Sequence, residues 1–177
     1  MRTRNTFVYA VVCTLAATFW LSTAEAGEKA GTVIALKGEV SAQDASSVNR
    51  ELKKDDPVSV GDTIHTGSGS YVIIEFIDGA RATIRPDSEL KVDQYAYGTG
   101  SDGAVMSLVK GGLRAITGSI AHENPESYKV KTNVATLGVR GTEFALRLCE
   151  EDCSEEAKRY EGITQGLEMN GDFIVAR

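Results

Sequence analysis

From residue 31 onward, apolar and polar positions alternate in short runs that glycines set apart. A period of two places one side-chain set on each face of a strand, so each run predicts a β-strand with one buried face. Residues 31–37 and 39–41 form two such runs meeting at Gly38, and 58–60 and 62–66 flank Gly61. Residues 71–77 are rich in β-branched and aromatic side chains; Asp78 and Gly79 follow at once, and 80–85 alternates again. An Asp-Gly pair between two such runs is a strong hairpin signal. Pro86, Asp87 and Ser88 break the chain, and 89–95 resumes the alternation. Gly98, Gly100 and Gly103 mark a loop. Further strands are predicted at 104–109, 112–116, 127–132, 134–137 and 142–148, with a weaker one at 172–176. No long segment has helical periodicity; residues 154–160 suit about a turn and a half.

Composition narrows the fold. All 18 glycines lie beyond residue 26, against only three prolines in the chain. Such a chain makes many tight turns between short strands, which selects an all-β sandwich, barrel or solenoid. Residues 36–40, 109–114 and 164–168 share an apolar-or-Thr, polar, Gly pattern around Gly38, Gly111 and Gly166. This faint repeat favours a twisted solenoid- or roll-like sheet with a glycine at each corner.

The first 26 residues read differently. Arg2 and Arg4 precede an almost unbroken apolar run from Phe7 to Leu21, and Ala24 and Ala26 form a small-x-small signature. Basic, apolar and small-residue regions in that order predict a secretory signal peptide cleaved after Ala26. An uncleaved anchor is the alternative, although the run is short of the roughly 20 residues that span a bilayer. Cys13 lies mid-run, which disfavours a lipoprotein cleavage site. Residues 27–177 are then expected to be a single all-β domain, periplasmic or secreted, with no further membrane span.

A formal charge of −6 argues against nucleic acid as the main partner, because phosphate binding needs clustered Lys and Arg. Beyond Cys13, two cysteines remain, Cys149 and Cys153. In an oxidising compartment two nearby cysteines normally pair, so a loop-closing disulfide is expected. Glu150, Glu151 and Asp152 between them disfavour the thiolate and hence a redox site. A zinc site or free thiols are the other readings.

The order of motifs then becomes recognisable. Gly31, Thr32 and Val33 with Lys37-Gly38-Glu39-Val40 come first, followed by the run from Val60 through Gly67 to Phe76, Asp78 and Arg81. Ile84 to Leu90 and Leu108 to Arg114 continue it, and Val130 to Phe144 ends it with Gly138-Val139-Arg140-Gly141-Thr142-Glu143-Phe144. Together these resemble the FecR domain, over about residues 31–148. Asn133 stands where the family often has Pro, a softened turn. The resemblance implies a periplasmic all-β domain with a twisted solenoid-like sheet. In the regulators of that family the domain belongs to a membrane-spanning anti-sigma protein. Only six residues precede the apolar run here, and little chain follows Phe144, so the resemblance is to a stand-alone exported member.

Within the final string, Gly138, Arg140, Gly141 and Glu143 are the candidate contact residues. Arg140 on a turn could grip a ligand carboxylate in bidentate fashion. Alternatively the glycines permit a bend and Arg140 pairs with a nearby acid to pin neighbouring turns. Asp62, Asp78 and Asp87 sit at turns, where Asx-type hydrogen bonds explain them better than calcium. His65 and His122 have no nucleophile motif beside them. The glycines at 98, 100 and 103 match a dinucleotide fingerprint superficially but open no helix. No catalytic, metal or cofactor residue is nominated. The expected function is a non-enzymatic envelope binding or scaffold module whose partner is an envelope protein or cell-wall polysaccharide. A periplasmic sensory component and a carboxylate-type envelope hydrolase are the alternatives.

Overall fold

The computed structural model describes residues 27–139, 143–148, 167–169 and 173–176. The predicted cleavage site, the 154–160 segment, Arg140, Gly141, Cys149 and Cys153 lie outside them. The described chain is all-β, in two sheets. Strands β1 (Lys29–Lys37), β4 (Pro57–Ser59), β6 (Tyr71–Phe76), β7 (Arg81–Ile84), β10 (Gly112–Ile116), β13 (Glu143–Leu148), β14 (Leu167–Met169) and β15 (Phe173–Ala176) form one, in the order β14-β15-β13-β10-β7-β6-β1-β4. Strands β2 (Val40–Gln43), β3 (Asn49–Glu51), β5 (Thr63–Thr66), β8 (Glu89–Ala96), β9 (Gly103–Lys110), β11 (Tyr128–Lys131) and β12 (Thr136–Gly138) form the other, in the order β12-β11-β9-β8-β5-β2-β3.

Neither sheet closes on itself, and no solenoid or roll is shown. The alternating positions of both sheets instead point into one core cluster that includes Val33, Val72, Ile74, Ile84, Leu90, Met106 and Leu113. The strands reach both sheets by bending. The run from β1 to β2 turns at Gly38 and that from β9 to β10 at Gly111, each with φ of 78°. Left-handed backbone of this kind costs a residue with a Cβ roughly 1–2 kcal/mol. A strand that bends at a corner and continues in the facing layer is a known way for two sheets to share one core.

The two corners are built alike. Gly67 N–H donates to Glu39 O and Glu39 N–H to Ser70 Oγ, at 2.9 Å each. At the other corner Arg85 N–H donates to Gly112 O at 2.9 Å and Gly112 N–H to Ser88 Oγ at 2.8 Å. Exchanging the two sheets carries β1, β2, β5 and β6 onto β9, β10, β7 and β8, and the strand order β1-β6-β7-β10 onto β9-β8-β5-β2. The body of the fold therefore has a quasi-twofold, and Phe76 and Tyr95 stack across it, with ring centroids 4.4 Å apart. The repeat seen at Gly38 and Gly111 is this pair of corners; in the third string, Gly166 lies outside the described residues.

Three elements depart from the sequence reading. Strand β3 is a short polar edge with no alternation to reveal it. The predicted strand at 134–137 becomes β12, because Thr132 Oγ1 accepts from the N–H groups of Val134 and Ala135 and turns the chain there. A short helix, α1 (Ser119–Glu123), follows β10 and leads through a 3-10 turn (Pro125–Ser127) into β11. β11 runs parallel to β9, a pairing no hairpin can make.

Candidate functional site

Of the four residues expected to bind, Gly138 and Glu143 are described. Gly138 is exposed at the end of β12. Glu143 opens β13, exposed, and accepts from Arg114 Nε at 2.6 Å, with Arg114 Nη2 also in contact. Arg114 lies on β10, so Glu143 fastens β13 to its neighbour across the sheet. His65 and Glu89 face each other on β5 and β8 at 3.7 Å, partly exposed. Among the described residues no group of three or more His, Cys, Asp or Glu could hold a metal ion.

The buried polar side chains mostly tie backbone. Asp62 is 2% exposed, receives Arg50 Nη1 at 3.1 Å and Nη2 at 2.5 Å, and accepts the Ser59 N–H at 2.8 Å. The hydrogen bond to Asp62, only partly offset by burial, raises the Arg50 pKa further above its already high value. Asp78 sits in the turn between β6 and β7, 5% exposed. Its Oδ1 accepts from Ala80 N–H at 3.1 Å and Tyr95 O–H at 2.7 Å, and its Oδ2 from Ile120 N–H at 3.2 Å. One carboxylate thus joins the hairpin, the facing sheet and α1. Asx-type bonding explains Asp78, as the sequence implied; Asp62 instead accepts from Arg50 and from an N–H three residues before it, and Asp87 holds φ of 54°. Burial, foremost, pushes the hydroxyls of Tyr95 and Tyr128 well above the usual phenol range. Tyr128 Oη is buried with no hydrogen-bond partner among the described residues.

The outward face of the larger sheet has a different character. At its corner end, Lys37 pairs in register with Tyr71, and Tyr71 and Arg85 each stand one residue beyond the Val72–Ile84 pair. Arg85 is bonded through its N–H to Gly112 O, and Gly112 pairs with Arg147. Val72, Ile84, Leu113 and Leu146 beside them are all buried, so this row points outward. A Cβ on Gly112 would lie 3.0 Å from Arg85 Cδ, so the arginine side chain lies over the glycine. Lys37 and Arg85 are exposed and have no ion-pair partner among the described residues. Further from the corners the face changes: Arg81 pairs with Glu75 at 2.9 Å, and Arg114 with Glu143. Beside the second half of β1, which β4 does not cover, a groove of about 500 Å³ opens between Ile34, Ala35 and Leu36 and the segment Glu51 to Lys54.

The family described as FecR protein matches residues 62–162. The chain belongs to the FecR family. No curated protein matches it. A solved structure described as a cell surface anchoring domain is 36% identical, covering 36% of this chain and 83% of that one, with a TM-score of 0.35.

The FecR match begins at Asp62, whereas β1 to β4 lie before it and are strands of the same two sheets. Reading the sequence for chemistry missed the cationic row of this FecR chain altogether. Lys37, Arg85 and Arg147 are far apart in sequence, and only strand register aligns them. The available signal was weaker: each is a basic residue one step beyond a buried strand position.

Proposed function

We propose that this FecR-family chain is an exported, non-enzymatic binding module of the cell envelope that engages its partner through the outward face of the larger sheet. The observation that carries this reading is the division of charge. Buried Asp62 and Asp78 are engaged by backbone N–H groups and by Arg50 or Tyr95. On the outer face, by contrast, Lys37 and Arg85, without ion-pair partners among the described residues, stand at one end of the sheet in a chain of formal charge −6. In this reading residues 1–26 are a signal peptide cleaved after Ala26. Residues 27–177 form one domain, FecR-like over about 31–148, and Cys149 and Cys153 pair in the oxidising compartment.

The test is crosslinking of the tagged protein in intact cells, with identification of what is attached and fractionation of the processed chain. Recurrent capture of one envelope component, together with a processed chain outside the cytoplasm, is the expected result. Full-length precursor in the cytoplasm, or turnover of wall glycans abolished by one acidic substitution, would overturn the reading.

A further inference from the structure

We propose that the row Lys37–Tyr71–Arg85, continued by the groove beside β1, is a binding track for an extended polysaccharide bearing carboxylates on its sugars. The inference rests on the binding-module reading and names the partner of that surface. Charge is the first argument. Lys37 and Arg85 on the row, and Lys53 and Lys54 on the groove wall, have no ion-pair partner among the described residues. The other cations of the same face, Arg81 and Arg114, are neutralised by Glu75 and Glu143. Glu51 is the acidic side chain of the groove.

Geometry is the second argument. Lys37 and Tyr71 lie on the neighbouring strands β1 and β6, and Arg85 directly follows β7, the next strand. Strands are spaced by about 4.8 Å, so Lys37 and Arg85 stand roughly 10 Å apart along a line crossing the sheet. Positive charges repeating along a straight track suit a polymer with charges repeating along its length. Tyr71, 37% exposed between two of them, offers a ring face for the C–H face of a sugar, while Lys and Arg hold carboxylates. The composition disfavours a protein partner. Interface cores are depleted of lysine and built around buried aromatic and aliphatic anchors, whereas this row has one half-exposed tyrosine among cations.

The experiment is calorimetry on the full exported chain with polygalacturonate as the probe, and with neutral dextran and dextran sulfate as comparators. The expected result is binding of polygalacturonate and none of dextran. The double variant K37Q/R85Q weakens binding by about tenfold, the loss of two modest charge contacts. Y71A weakens it about threefold, and K110Q, at the equivalent position of the other corner, leaves it unchanged. Each variant keeps the parent's melting temperature. Polygalacturonate binding that survives K37Q/R85Q overturns the proposal. So does equal binding of dextran sulfate with no effect of Y71A, which is plain adhesion to any polyanion. Should polygalacturonate fail to bind while one envelope protein is crosslinked in cells, the track falls and the binding-module reading stands. Glycan hydrolysis would bring down the reading itself.

Discussion

The two corners of the molecule use one device in different surroundings. Both bend at a glycine with φ of 78° and both have a serine Oγ receiving the N–H that follows. At the first corner that N–H belongs to Glu39, which is exposed. At the second it belongs to Gly112, which is buried, and Thr66 joins the network, donating to Arg85 O and accepting from Ser88 N–H. Ile84, which stands on β7 where Thr66 stands on β5, offers the first corner no such hydroxyl. The same geometry thus lies beside an exposed residue on one side and is sealed on the other. A repeated backbone solution therefore need not contribute equally to stability.

Replacing the glycines should separate the corners most. A Cβ on Gly111 would meet Ser88 Oγ at 2.2 Å, Ser88 Cα at 2.7 Å and Asp87 O at 2.8 Å, much of it backbone that cannot move aside. On Gly38 the nearest atom is Ser70 Oγ, at 2.3 Å, with the Ser70 Cα at 3.1 Å. Strain and overpacking together predict that Gly111→Ala loses about 3–4 kcal/mol and Gly38→Ala about 1 kcal/mol less. Urea unfolding measures both, and equal losses would deny that the second corner is the tighter.

The serines should differ by less. Ser88→Ala leaves a buried N–H unpaired and should cost about 2 kcal/mol, whereas water can reach the Glu39 N–H freed by Ser70→Ala, at about 1 kcal/mol. Thermal unfolding of the two variants under one condition decides this. A larger loss at Ser70 would show that the first corner is not hydrated.

The smallest effect concerns the rings that meet across the quasi-twofold. Tyr95 and Tyr128 have hydroxyl pKa values raised by burial. A folded pKa above the unfolded value, about 10 for tyrosine, gives stability that is full below that pH and lost as pH rises above it. Melting temperature measured from pH 8 to pH 11 should therefore fall at the alkaline end. In Tyr95→Phe, which restores like with like opposite Phe76, the fall should be shallower. The variant should also be less stable at neutral pH, because Asp78 loses one donor. Tyr128→Phe removes an unpaired hydroxyl and should cost nothing at neutral pH. An unchanged alkaline slope in both variants would show that neither phenol is held from ionising.

Most of the sheet was legible because one buried face imposes alternation. The runs at 71–77 and 89–95 became β6 and β8, and the Asp78–Gly79 signal became the turn between β6 and β7. What escaped has no such periodicity: the polar edge strand β3, and α1, whose only buried residues are Ile120 and Ala121. Glu143 could be seen as a motif residue, but its role could not, since its partner Arg114 is set by the pairing of β10 with β13. The cationic track was illegible for the same reason, as register across neighbouring strands leaves no mark in any one segment.

The parallel pairing of β11 with β9 imposes an order of assembly. Hairpins can zip outward from a turn, but β11 must find β9 after the chain has left for the other sheet and returned through α1. The first turn of α1 is anchored by the Asp78 carboxylate, which accepts from the Ile120 N–H out of the turn between β6 and β7. Long-range pairing of this kind is slow, because loop closure must precede its reward. A chain folding from its amino end would therefore complete the paired corners first and add β11 to β13 last. In that order Asp78 would join the final strands to a body already built.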